Sequence, residues 1–500
     1  MTSTIHSAPA STLEARDPRP APAREKPLAP TLWNRLSPVF LHGLLILLCL
    51  TLHWLSDDPG FTLTAAGALV FLFYALLAYG EAQRTPLAWG PLSYHFAWYS
   101  NALGISAIYM GGRVSSGERI DFSVVALNPS DIAAAYIIYL IGSFALHAGI
   151  QLTRPLPSAP ALHGAEASDS PPSTAGLIIL WAIGIFARLF APSLEFLGGV
   201  KGLLQMASIA ALSVYVLTYG AQPRVRFWLI LALGTVIEAA VSTRAGSKAA
   251  LMYSFLPCLW LFAHHRRYRK WLIPLALSMI ALYLTVVAPV INASRNLHWS
   301  EGANQTERIQ RVFFSERRQS VDVGEQLEAL LSRQFEPAPV AFLYREVERS
   351  GLRYGETMDY LAYAFIPRFF WPEKPHVTRG AWFTLYLGQA RNEREVSTST
   401  GQMAVGELYW NFGLLGVILG LIFLGAFIGA LWRLAGVAPK NDGLLMVLYI
   451  SLCLTMVDVA EAGTLLVSLV YRAIVIGSVI WILRYGRTLL PRNLKRARAF

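Results

Sequence analysis

The chain is a succession of apolar stretches, each about as long as a bilayer is thick. There are about twelve, at residues 38–56, 61–79, 89–110, 130–152, 175–191, 202–220, 227–243, 249–264, 271–291, 405–432, 443–458 and 463–483. A helix needs roughly 20 apolar residues to cross the hydrocarbon core. Within that core every backbone N–H and C=O must find a partner inside the protein. A series this long therefore predicts an all-α fold, a polytopic membrane helix bundle. Composition agrees: 54% of the 500 residues are hydrophobic and 15% are charged, where a soluble protein carries roughly 25% charged residues. Pro257, Pro274 and Pro289 fall inside central stretches, where neighbouring helices can satisfy the carbonyls they free.

The net charge of +11 does not point to nucleic acid, because the cations sit in short loops and tails, where they orient the chain. Loops holding Arg84, Arg154, Arg224/Arg226, Arg266/Arg267/Arg269/Lys270 and Arg433/Lys440 alternate with loops poorer in cations, although Arg113 and Arg119 fall among the latter. Both termini are thereby expected in the cytoplasm. Residues 1–30 read as a disordered cytoplasmic tail and not as a cleavable signal peptide. Residues 31–291 hold nine spans, 292–404 a large exported loop, 405–484 three further spans, and 485–500 a basic tail. The Pro/Ser/Ala-rich stretch 153–174 reads as a flexible linker. The long loop carries fourteen basic and fourteen acidic residues, so its charge does not oppose export. Ile309, Val312, Phe313, Val321, Leu327, Leu330 and Leu331 recur at loosely helical spacing, which predicts short amphipathic helices on the membrane surface. No repeated half is visible of the kind duplicated transporters show.

Four places could carry chemistry. Ser242-Thr-Arg-Ala-Gly-Ser-Lys248 joins two spans on the exported side. Its small residues and hydroxyls beside Arg244 and Lys248 suit phosphate oxygens, although Arg244 could equally anchor to headgroups. Glu238, a turn and a half earlier, is either a general base or the ion-pair partner of Arg244 or Arg188, with the pairing favoured. Arg188 and Arg295 end other helices on the same side, and together with Arg244 would surround a pyrophosphate.

The stretch Ile366-Pro-Arg-Phe-Phe-Trp-Pro-Glu-Lys-Pro375, followed by His376 and Arg379, sets cations among prolines and aromatics. Proline excludes an ordinary helix here, leaving a rigid basic surface. On it Arg368 can hold phosphate, Trp371 can stack on a sugar, and Lys374 and His376 are further contacts. Finally, Gly406-Glu-Leu-Tyr-Trp-Asn-Phe-Gly413 opens a span. Glu407 and Asn411 share a helix face and are expected to look into a cavity under the loop, with Tyr409 beside them. Glu407 is the candidate general base, or else a first-turn carboxylate favoured by the helix dipole.

Cys49, Cys258 and Cys453 lie in apolar runs, so neither a disulfide framework nor a zinc site is expected. The histidines His147, His163, His264 and His265 are scattered. No metal-ligand spacing and no nucleotide fingerprint appears, so no cofactor is implied and activation must arrive with the substrate.

The order of these motifs, an exported Ser-Thr-Arg-Ala-Gly turn, the Ile366–Pro375 stretch, then Gly-Glu-Leu-Tyr-Trp-Asn-Phe-Gly, resembles the bacterial O-antigen polymerases (Wzy type), over roughly residues 238–429. The resemblance implies a metal-independent membrane glycosyltransferase of the GT-C type in the bacterial inner membrane. Such an enzyme joins repeat units carried on undecaprenyl pyrophosphate into a surface polysaccharide (O-antigen, capsule or exopolysaccharide) on the periplasmic side, with a chain-length-regulating co-polymerase and a flippase as partners. Arg244, Arg295 and Arg368 would then stabilise the leaving pyrophosphate, and Glu407 would activate the acceptor hydroxyl. The alternatives are an O-antigen ligase, which transfers the lipid-linked glycan to lipid A core, and a non-enzymatic flippase or other transporter. Clustering of cations at one face, and not through the mid-membrane, speaks against the latter.

Overall fold

A computed structural model describes residues 32–84, 91–122, 125–153, 171–190, 194, 199–244, 248–265, 267–296, 322–366, 370–374, 379–392, 400–435, 443–455 and 461–489. In chain order the helices are α1 (Leu32–Leu55), α2 (Pro59–Arg84), α3 (Pro91–Tyr99), α4 (Ser106–Ser115), α5 (Pro129–Thr153), α6 (Thr174–Leu189), α7 (Gly199–Tyr219), α8 (Val225–Arg244), α9 (Lys248–Tyr253) and α10 (Leu256–His264). Then follow α11 (Leu272–Leu282), α12 (Ala288–Asn296), α13 (Val323–Gln334), α14 (Pro337–Ser350), α15 (Leu361–Ala364), α16 (Arg379–Tyr386), α17 (Met403–Ala435), α18 (Gly443–Thr455) and α19 (Ala462–Leu489). A two-stranded antiparallel hairpin, β1 (Ile120–Phe122) and β2 (Val125–Leu127), pairs Ile120 with Leu127 between α4 and α5.

Eight helical stretches among the described residues are long and apolar enough to cross a membrane. The other four apolar segments take shorter or interrupted forms. A π-helical turn, Ser100–Ile105, joins α3 to α4. α6 has 16 residues and α18 has 13. The segment around Pro257 splits into α9 and α10, with the proline in the first turn of the second piece, where its missing N–H costs nothing.

Two spans form the axis. Among the described residues α5 and α17 make the most extensive pairing, and 78% of the α5 span is buried. Apolar side chains gain little from meeting each other rather than lipid, so close backbone approach has to supply the packing. It does so at two glycines: a Cβ on Gly149 would lie 2.2 Å from the Ile422 carbonyl, and one on Gly425 would lie 2.2 Å from the Leu146 carbonyl. A polar chain pins α1 and α2 to the same axis. Tyr74 Oη is 2.9 Å from His42 Nε2 and 2.5 Å from Ser143 Oγ, and the His42 and His147 Nδ1 atoms are 3.0 Å apart.

The long loop is built into the bundle. α14 inserts Val340, Ala341, Phe342 and Leu343 into the core. Glu336, at its N-terminus, accepts hydrogen bonds from Trp98 Nε1 and Tyr139 Oη. Arg345 donates to the Ala126 carbonyl at 3.0 Å, and Arg113 pairs with Glu328 at 3.3 Å. The expected amphipathic helix is present as α13, with Leu327 exposed; residues 309–321 lie outside the described residues.

Candidate functional site

Within α17, Gly413 leaves helical geometry at φ 64°, ψ −160°. A break there removes the helical donors that the Trp410 and Asn411 carbonyls would otherwise use. The loop after α14 supplies replacements: Arg353 N donates to the Trp410 carbonyl and Tyr354 N to the Asn411 carbonyl, both at 3.0 Å. Asn411 completes the clasp with its side chain. Its Oδ1 accepts from Gly355 N at 3.0 Å and Thr357 N at 3.4 Å, while its Nδ2 donates to Thr357 Oγ1 at 2.6 Å and the Glu407 carbonyl at 2.7 Å. Tyr354 is held at φ 47°, and Met403, where α17 begins, at φ 59°. A non-glycine residue persists in that region only when its surroundings over-determine it.

One turn before Asn411, Glu407 is fully buried. Its Oε1 accepts from Tyr360 Oη at 3.2 Å and from Gln402 Nε2 at 3.4 Å, and its Oε2 accepts from Gly463 N at 3.0 Å. Gly463 lies in the first turn of α19, so the carboxylate sits where a helix N-terminus favours negative charge. A Cβ at Gly463 would fall 2.1 Å from Tyr360 Oη, so only glycine fits. Glu461, also buried, acts electrostatically on Glu407. Burial, and then the Glu407 charge, push the Tyr360 phenol well above its ordinary range. It therefore stays protonated and donates.

Arg379 covers Tyr360. Its guanidinium carbon is 4.8 Å from the Tyr360 ring and 4.2 Å from the Trp382 ring, and Nη2 donates to the Thr357 carbonyl. Its Nε is buried and has no acceptor. Rings hold the cation while leaving the Nε N–H unsatisfied, an arrangement suited to an oxyanion.

The sequence candidates thus fall into separate places. Glu407, Asn411 and Arg379 come together with Tyr360. Glu407 and Asn411 share a face as expected, and both side chains are fully buried against the loop. Tyr409 stacks on Tyr344, with ring centroids 6.0 Å apart and planes at 23°. Trp371 is 40% exposed and edge-on to Tyr363. The Lys374 ammonium is buried and donates to the Ala364 and Ile366 carbonyls at 2.9 Å each, where it caps α15.

Arg188 and Glu238 form a second group, an ion pair that Trp181 Nε1 joins at 3.0 Å and Ser242 Oγ at 2.5 Å. This is the pairing reading of Glu238. Arg244 is the last residue of α8, Lys248 the first of α9, and Arg295 lies in α12; their side chains are outside the described set. Arg368 and His376 lie outside the described residues. Sequence reasoning missed Arg353, Tyr360, Trp382, Gln402, Glu461 and Gly463. Of these, Glu461 alone carries a signal in the sequence, its position just before a span.

The chain is thus a helical membrane protein with a long polar loop clasped onto a broken span and an acid–arginine centre at the junction. The profile of the O-antigen polysaccharide polymerase Wzy family matches residues 195–487, more than half of the chain, and takes in α16, α17 and the start of α19. The chain belongs to this family, a family of membrane polymerases of O-antigen repeat units. No curated protein and no solved structure matches it.

Proposed function

We propose that the chain elongates a surface glycan at the periplasmic face of the inner membrane, with both termini cytoplasmic, using repeat units carried on undecaprenyl pyrophosphate. The acceptor's sugar hydroxyl attacks the anomeric carbon of the donor glycan. A new C–O bond forms, the C–O bond to the pyrophosphate breaks, and the hydroxyl proton leaves to a base or to water. Arg379 stabilises the charge that develops on the leaving pyrophosphate. The observation that carries this reading is the Arg379 guanidinium, fixed by two rings and one carbonyl yet left with a buried N–H that has no acceptor. Donors already aimed at developing charge do not have to reorganise during reaction.

Glu407 is fully enclosed, so its proposed role is to position. It holds Tyr360 and the N-terminus of α19, and Tyr360 carries Arg379. Arg188 and Glu238 neutralise each other and serve the bundle. Arg244, Arg295 and Arg368 are further cations for the same anion.

The test is complementation of a deletion strain, with the surface glycan resolved on gels. Arg379→Ala is expected to abolish the ladder, because losing one such donor costs about 10²–10³-fold in rate. Glu407→Gln keeps one carbonyl acceptor, for Gly463 N, and turns its amide nitrogen to Tyr360 Oη, whose hydroxyl can rotate to accept; it is expected to retain short chains. A full ladder from Arg379→Ala sinks the proposal. A complete loss in Glu407→Gln, with the protein folded, returns Glu407 to the role of base. Polymer that forms but stays on its carrier lipid identifies a ligase instead.

A further inference from the structure

Next to Arg379 lies an aromatic surface whose unused hydrogen-bonding capacity the leaving-group chemistry does not account for. Arg379, Trp382 and Tyr386 stand at i, i+3 and i+7 of α16, on one face. Trp382 and Tyr386 stack at 5.7 Å with planes 22° apart, and Trp410 lies 6.0 Å from the first ring and 5.0 Å from the second. Trp382 stays 36% exposed and Tyr386 38%. α16 lies outside the candidate spans. Beneath these rings, Trp410 is 1% exposed, yet its Nε1 has no acceptor. Arg353 lies over the Trp410 ring at 5.7 Å and leaves its buried Nε without an acceptor. Buried donors are rarely left unpaired, and an unpaired one calls for an explanation. Two of them, on Arg353 and Trp410, lie at one aromatic layer, beside Tyr354 with its positive φ and next to the Arg379 N–H already given to the pyrophosphate.

We propose that Trp382, Tyr386, Trp410 and Arg353 form a saccharide subsite that seats a sugar ring directly beside Arg379. A pyranose presents an apolar C–H face to an aromatic ring and a rim of oxygens to N–H donors, which are the two features left open here. The opposite rim has an acceptor: Glu346 Oε2 takes a hydrogen bond from Tyr386 Oη at 3.1 Å and can accept from a hydroxyl. The proposal rests on the polymerase reading. The ring belongs either to the donor, next to its pyrophosphate, or to the growing acceptor, and both present the same chemistry.

The test uses the full chain in lipid nanodiscs and two probes, with the pyrophosphate-linked oligosaccharide as a third that assigns the ring. One is the reduced repeat-unit oligosaccharide released from the host's own surface polysaccharide, which has sugar and no pyrophosphate. The other is geranyl pyrophosphate, which has the anion and no sugar. Saturation-transfer NMR reports oligosaccharide binding. Wild type is expected to bind it, Trp382→Ala about 5- to 10-fold more weakly, and Trp382→Phe in between, the loss of one aromatic contact. Geranyl pyrophosphate affinity is expected to be lost in Arg379→Ala and to fall less than oligosaccharide affinity in Trp382→Ala, since the Tyr360 ring and the Thr357 carbonyl still hold the guanidinium. Stronger binding to wild type of the oligosaccharide still linked to pyrophosphate than of the reduced form assigns the ring to the donor; equal binding assigns it to the acceptor.

Equal oligosaccharide affinity in wild type and Trp382→Ala overturns the subsite, as does no binding to wild type. So does quenching of the Trp382 fluorescence, taken as wild type minus Trp382→Phe, by brominated lipids with no response to sugar, which would make the pair an interfacial anchor. Trp382-dependent sugar binding without any geranyl pyrophosphate binding keeps the subsite and removes the role given to Arg379.

Discussion

Gly463→Ala tests whether Glu407 and Tyr360 work as a unit. The new methyl would lie 2.1 Å from Tyr360 Oη, against an ordinary contact of 3.4 Å or more, so the phenol must retreat by roughly 1.3 Å in a close-packed interior. Its hydrogen bond to Glu407 is already 3.2 Å long and does not survive that shift. Overpacking costs about 1–3 kcal/mol, and a lost hydrogen bond to a charged group about 1.5–3 kcal/mol. The total expected is about 3–5 kcal/mol, the two terms overlapping in part. Tyr360→Phe alone forfeits only the second. In the Gly463→Ala background the same change costs less, because the bond is gone, and the coupling should reach about 1–2 kcal/mol. Relief is partial, since Tyr360 Cζ remains 2.8 Å from the added methyl. Denaturant titration of the detergent-solubilised protein reads the energies, and the glycan ladder reads the transmitted displacement of Arg379. Strictly additive energies, or wild-type stability in Gly463→Ala, would refute the account of this centre.

Arg188→Leu should destabilise by about 3–5 kcal/mol, since it strands Glu238 in the bundle; Arg188→Leu with Glu238→Leu should recover most of that, as read by the same titration. Asn411→Ala should loosen the loop that Gly355 and Thr357 anchor, which limited proteolysis would detect as faster cleavage between residues 350 and 360 with the spans intact. Lys374→Met leaves the Ala364 and Ile366 carbonyls without their buried donor and should cost about 1–3 kcal/mol with little change in geranyl pyrophosphate affinity; a large loss of that affinity would restore Lys374 as a ligand contact.

The bundle was legible because bilayer length and backbone satisfaction leave few alternatives, and each apolar run reads alone. The four runs that became short or broken helices were not legible, since a π turn at Ser100–Ile105 or a split before Pro257 depends on neighbours. Spacing placed Glu407 and Asn411 on one face, but what closes that face comes from residues 353–360 and 463, about fifty positions away in either direction, and no local pattern announces such a pairing. Lys374 shows the opposite failure. Its sequence context of prolines and aromatics read as an exposed basic surface, whereas its flexible stem lets the ammonium turn inward to two carbonyls.

The clasp explains why the polar loop and a membrane span have to be considered together. Breaking α17 at Gly413 deprives two carbonyls of their helical donors within a candidate span, and each unmet one costs several kcal/mol in hydrocarbon. Arg353 N and Tyr354 N meet them, and the segment they begin places Arg353 over Trp410 and leads into Tyr360 beside Glu407. The span thus recruits the loop through backbone satisfaction, and the loop in turn brings the two arginines with open N–H groups to one aromatic layer. Were α17 continuous, the Trp410 and Asn411 carbonyls would keep their own helical donors and would not take Arg353 N and Tyr354 N; the helix break is what assembles the arginine pair.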